Sequence, residues 1–206
     1  QRQRGIRDSS NEASGLASSA VGFRNKAASE NASAIGYGNN ANALAASAVG
    51  YNNTAGGVGS STIGYNNTAT NENASAFGYG NTAGGLASSA FGFSNTASGD
   101  NANAFGYNNI ASGSKSNVFG TGNTVSGSSS TAVGTSNEVA AENSTAIGNN
   151  NTISSGAENS AALGNNISIS LKDSVALGNN STATAINSVT LSLIHISEPT
   201  RRSYIS

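Results

Sequence analysis

Large apolar residues in this chain come one at a time, fourteen positions apart, each followed by a glycine and set among Ala, Ser, Thr and Asn. The glycines are Gly22, Gly36, Gly50, Gly64, Gly78, Gly92, Gly106, Gly120, Gly134 and Gly148. A two-residue insertion in NTISSGAENSAALG moves the next to Gly164, and Gly178 restores the spacing. Immediately before them stand Val21, Ile35, Val49, Ile63, Phe77, Phe91, Phe105, Phe119, Val133, Ile147, Leu163 and Leu177. β-Branched and aromatic types dominate this column, which favours strand over helix. Five residues after each glycine runs a second apolar column, Ala27 to Ala111 and then Val125, Val139, Ile153, Ile169 and Ala183. Each repeat therefore predicts two short strands. Three residues after the glycine is Asn in ten successive repeats, from Asn25, Asn39 and Asn53 through to Asn151, before the column passes to Ile167 and Ser181. Asn tolerates left-handed backbone and bonds locally in turns, so this column is expected at the corner between the strands, where stacked copies can also form a side-chain ladder.

A helix cannot carry this pattern, because Gly and β-branched residues recur in every repeat and fourteen residues give no heptad seam. One repeat cannot bury its own apolar face and must stack on its neighbours. The expected fold is all-β, a flattened parallel β-roll (β-solenoid) with 14-residue coils of two short strands, roughly 50 Å long at one coil per strand spacing. Two or three side chains per coil would point inward, too thin a core to stand comfortably alone. Alternation puts the large apolar residue on one face of the first strand and the preceding Ala, with the Gly, on the other. In the coil SAVGYNNTAGG we expect Val49 to fill the roll and Ala48 and Gly50 to allow close approach by another copy. Parity alone leaves open which face forms a subunit interface.

The words ASAIG, STAIGNN, SAALGNN and SVALGNNSTA resemble YadA-like head repeats of trimeric autotransporter adhesins. The resemblance covers residues 15–190. It implies a left-handed parallel β-roll, a homotrimer, display on a bacterial cell surface at the outer membrane, and attachment to a host extracellular-matrix protein or other surface ligand. Membrane contact would come only through an anchor outside this sequence. The organisation expected is an irregular lead-in at 1–14, head repeats at 15–190 and a non-native tail at 191–206. That tail, LSLIHISEPTRRSYIS, abandons the repeat and resembles a translated sequencing adaptor, so nothing is built on its lone His195. The start, QRQRGIRDSS, has no initiator Met and no apolar signal core, and we expect a fragment whose targeting and anchoring parts lie outside it.

One departure from the family pattern is an aromatic residue after the glycine: Phe23, Tyr37, Tyr51, Tyr65, Tyr79, Phe93 and Tyr107. Two readings stay open. The tyrosines Tyr37, Tyr51, Tyr65, Tyr79 and Tyr107 are candidate partner contacts, since Tyr is enriched at binding hot spots. The plainer reading, which we favour, is that the rings ladder with one another and cover the roll edge or a subunit seam. Thr121, Thr135, Asn149, Asn165 and Asn179 take their place later, dividing the roll into an aromatic half and a plain half.

Composition narrows the function. Of 206 residues, 36% are hydrophobic and only 9% charged, and the net charge of −1 gives no electrostatic reason for a nucleic-acid partner. Cys is absent, so no disulfide or thiolate metal site exists, and no stretch approaches the length of a membrane helix. Acidic residues such as Glu30, Glu72, Asp100, Glu138, Glu142 and Asp173 read as scattered over different repeat positions, with no ligand column and no Gly-Gly-x-Gly-x-Asp calcium word. The stretch ASGSKSNVFG at 111–120 lacks the frame of a phosphate loop. No catalytic, metal or cofactor residues are expected. An ice-binding or ice-nucleating solenoid is the alternative function; it would need a regular Thr-x-Thr ladder. A polysaccharide-active solenoid would need carboxylates clustered on adjacent coils.

Overall fold

A computed structural model describes residues 10–192 and the backbone of 5–7; the expected adaptor-like tail, from residue 193 on, lies outside the described residues. The coils alternate a long and a short strand. The first are β1 (Gly5–Arg7), β2 (Glu12–Ala13), β3 (Ser19–Phe23) and β4 (Lys26–Ala27), and the alternation runs on to β26 (Thr182–Ala183) and β27 (Val189–Leu191). Odd-numbered strands form one 14-stranded sheet and even-numbered strands one 13-stranded sheet, each in strict chain order. Every pairing is parallel, and nearly all join residues fourteen apart, as in Val49↔Ile63 and Ala55↔Ala69. Across the insertion the offset becomes sixteen, Thr145↔Ala161 and Thr152↔Ser168, so the extra residues are absorbed in the turn and neither ladder slips. The fold is an all-β parallel β-solenoid of about thirteen turns, as the period predicted.

Four side chains per coil point inward, not two or three. In the second coil they are Ser18, Ala20, Asn25 and Ala27, all buried. The long strand has the parity opposite to the one expected. Ala48, expected on the outside, is wholly buried, whereas Val49, expected to fill the roll, lies on the outer face and is half-buried. Elsewhere in its column Ile63 is 46% exposed and Leu163 40%. The cause is volume: two strands and two corners in fourteen residues hold the sheets so close that the long strand turns its small column inward, Ala in nearly every coil with Thr62 and Val118 the exceptions, while Val and Ile enter mainly from the short strand of later coils. A one-residue shift of parity exchanges the two faces, and the interior selects the column that fits.

The glycine column is required by its backbone. Gly50 has φ of 120°, and a Cβ there would collide with the carbonyl oxygen of Gly64 in the next coil. The corner that follows uses a left-handed residue, but it is Asn52 (φ 51°), one place before the buried Asn53. Asn53 serves the corner with its side chain instead. Its backbone N–H donates to Asn39 Oδ1 at 3.0 Å, and its Nδ2 lies 3.0 Å from the same oxygen, 3.0 Å from Val49 O and 2.7 Å from Gly64 O. The pattern repeats coil after coil, so each carboxamide bonds the coils before and after it. The spine closes at Ile167, whose N–H donates to Asn151 Oδ1 at 3.0 Å and whose side chain joins Ile153 and Ile169 in the interior. Its end leaves the last carboxamide oxygen satisfied, which is what a buried polar chain requires.

Candidate functional site

With its interior closed, the roll can act only through its outer surface. Three columns face outward along the long-strand sheet: the position three before the glycine, mostly Ser or Thr; the large apolar column just before the glycine; and the position just after it. The structure thus brings the twelve large apolar residues and the five candidate tyrosines onto one face, one pleat apart. The glycine between them presents no side chain.

The aromatic column is a continuous stack. Phe23–Tyr37 centroids are 5.4 Å apart, Tyr37–Tyr51 4.9 Å, Tyr65–Tyr79 4.8 Å and Phe93–Tyr107 5.2 Å. Through the middle the rings are within 6° of parallel. Parallel register imposes this spacing, since successive rings sit on paired strands. Each ring face is covered by its neighbour, so the surface offers ring edges and phenolic hydroxyls rather than open faces. A second stack, Phe77–Phe91–Phe105–Phe119, runs beside it at 4.7, 5.0 and 5.3 Å. Sequence reading did not single it out, although four successive Phe in one column were its signal. Arg24 lies over the terminal Phe23 ring at 5.1 Å, closing that end of the ladder.

The opposite face is polar. Outward positions of the short strands include Thr54, Thr68, Thr82 and Thr96, interrupted by Ile110 and Glu138. Lys26 and Glu12 pair there at 3.4 Å, both well exposed, a contact of little energetic weight.

The acidic residues are better ordered than the sequence reading held. Ala45 N–H donates to Glu30 O, Ala87 N–H to Glu72 O, Lys115 N–H to Asp100 O and Asn159 N–H to Glu142 O. These equivalent bonds place all four acids in a single column at the second corner, the one that leads into the long strand. Leu16, Leu44, Val58 and Leu86 occupy the same column and are exposed. Glu138 lies on a short strand and Asp173 one place further on, so those two stand apart. Among the described residues no three of His, Cys, Asp or Glu are grouped closely enough to hold a metal ion.

A rigid parallel solenoid with a continuous apolar and aromatic face and a hydroxyl-rich, nearly uncharged opposite face is a scaffold for surface contacts. A family model described as the YadA head domain repeat (2 copies) matches residues 13–39, 27–53, 55–81, 83–109, 126–151 and 172–189. These segments cover well over half of the chain, and it belongs to that family. The unmatched stretch between 151 and 172 holds the insertion and the loss of the Asn column. No curated protein matches the chain. The family makes the roll an adhesin-type head domain of the kind exposed on cell surfaces.

Proposed function

We propose that this roll is a non-catalytic adhesin head that works as a homotrimer on a bacterial cell surface and attaches it to a host extracellular-matrix protein or another surface ligand. The observation that carries the reading is the match of family repeats along the chain, together with an outward apolar column whose members its own roll leaves half-buried to exposed. An apolar stripe running the length of a solenoid is costly to leave in water, at about 25 cal/mol per Å². In this reading three copies turn their long-strand sheets toward a common axis and bury it. The short-strand faces, with their Thr, Ser and Asn side chains, then look outward and offer the ligand a long, flat, nearly uncharged surface. The ice-binding alternative is not favoured, because the outward Thr column is broken by Ile110 and Glu138.

The test is direct. Light scattering on the full chain should give three times the monomer mass of 20.2 kDa. The same protein should bind saturably to at least one of immobilised collagen, fibronectin or laminin. A monomer at every concentration would remove the trimer from this reading, and failure to bind any coated surface would remove the matrix ligand.

A further inference from the structure

Two exposed columns on opposite edges of the long-strand sheet change character together. One is the aromatic column at the end of the long strand. The other is the second-corner column that precedes the strand, where Leu16, Leu44, Val58 and Leu86 alternate irregularly with Glu30, Glu72 and Asp100. Within one copy the width of the sheet separates them, so they cannot be partners in the same chain. Yet both run through the same coils and both lose their large apolar members in the same coil, at Ser114 in the corner and Thr121 at the strand end, with Ile186 returning only at the last corner.

We propose that these edges are complementary: the aromatic edge of one copy packs on the Leu/Val-and-carboxylate corner of the next, going round the assembly in one direction. This rests on the trimer reading above and specifies how its seams are built. A ring of three copies is closed by heterologous contacts, in which one edge meets a different edge of its neighbour. Copies related by an axis along the roll stand at the same height and share one coil repeat, so the two ladders stay in step over every coil.

Pairing each corner residue with the ring seven positions on matches the chemistry in five of the seven aromatic coils; in the other two, Leu44 and Val58 fall beside the rings of Tyr51 and Tyr65 as apolar contacts. Glu30, Glu72 and Asp100 fall beside Tyr37, Tyr79 and Tyr107, whose hydroxyls can donate to a carboxylate. Leu16 and Leu86 fall beside Phe23 and Phe93, which have no hydroxyl to satisfy. Beyond the change the same offset pairs polar with polar, Ser128 with Thr135 and Glu142 with Asn149. Ring stacking fits this role as well: faces are used within the copy, and edges and hydroxyls remain for the neighbour.

The chain has no Cys, so introduced thiols react without background. The full chain carrying both Val58→Cys and Tyr65→Cys, treated with a short bis-maleimide, should run mainly as a covalent trimer on a denaturing gel. Each single variant should stay at the monomer mass. If scattering shows a trimer but the double variant does not cross-link, or Tyr65→Cys alone joins to itself, the heterologous seam is overturned while the trimer stands. A monomer by scattering overturns the trimer reading and the seam with it. Both positions lie outside the interior, and scattering on each single variant checks that the assembly survives the gap that Tyr65→Cys opens in the ring stack.

Discussion

The coils up to about residue 107 and those after it share one backbone but differ in which side of the sheets carries their apolar weight. In the first group the interior column of the short strand is Ala throughout, from Ala27 to Ala97, while Phe and Tyr stack outside. In the second the same interior column grows to Val125, Val139, Ile153 and Ile169, and the outer aromatic column gives way to Thr and Asn. The second corner differs too. Early coils close it locally, as when Ala32 N–H donates to Ser29 O at 3.2 Å. Later coils use a buried serine spine, in which Ser144 N–H donates to Ser130 Oγ at 3.0 Å and Ser160 N–H to Ser144 Oγ at 3.1 Å. A solenoid repeat can thus be held by its own interior or lean on what covers its exterior. The aromatic half carries more of its apolar surface outside, and on the trimer proposed above it should depend more on assembly.

Substitutions at equivalent positions in the two halves test that contrast. All are read by urea unfolding of the full chain at one fixed concentration, since assembly shifts apparent stability. Five of the six tyrosines lie between 37 and 107, so tyrosine fluorescence follows mainly the first half while far-ultraviolet dichroism follows the whole roll. The largest effect is expected where the halves do not differ, in the asparagine spine. Asn81→Ala strands Asn95 N–H and takes a donor from Phe77 O and Gly92 O; Asn137→Ala does the same to Asn151 N–H, Val133 O and Gly148 O. Each should cost about 3 kcal/mol or more, and a large inequality between them would show that the spine is not common to both halves.

A smaller effect separates the halves. Ser144→Ala removes the acceptor of Ser160 N–H and should cost about 1–2 kcal/mol. Ser88→Ala, in the same column, removes a buried hydroxyl that has no partner, and stability should hold or rise by up to about 1 kcal/mol. Equal losses at both sites would dissolve the distinction between a local turn and a serine spine. The smallest change expected is a gain. Ala45 sits at φ 56° in a column where coils of both halves place Asn, among them Asn31, Asn73, Asn143 and Asn159. Left-handed backbone costs an ordinary L-residue roughly 1–2 kcal/mol and is better tolerated by Asn, so Ala45→Asn should stabilise by about 0.5–1 kcal/mol. No gain there would mean that the early corner is relaxed some other way.

Much of the architecture was legible in the residues. The spacing of Gly22 to Gly178 gave the coil, the β-branched column gave the strand, and ten asparagines in step gave the ladder, because parallel pairing turns a sequence period into a column of contacts. The seven-ring aromatic column was legible for the same reason. The acids at Glu30, Glu72, Asp100 and Glu142 were misread as scattered. Each stands six residues before a repeat glycine, as does Glu158, so the column was legible in the spacing too; interruption by Leu, Val and Ser hides it, and the chain of backbone bonds through the corner makes it plain.

The sequence by itself determined the period, the two strands per coil, the corner asparagines and the absence of cysteine chemistry, all of which depend on local preference and repetition. Only the tertiary structure decided that Ala48 goes in and Val49 goes out. Alternation fixes which residues share a face, but the distance between the two sheets decides which face is the interior, and that distance is a property of the closed coil rather than of any one strand. The same closure decided that the large apolar residues and the tyrosines share one outer face, and so where a partner would have to sit.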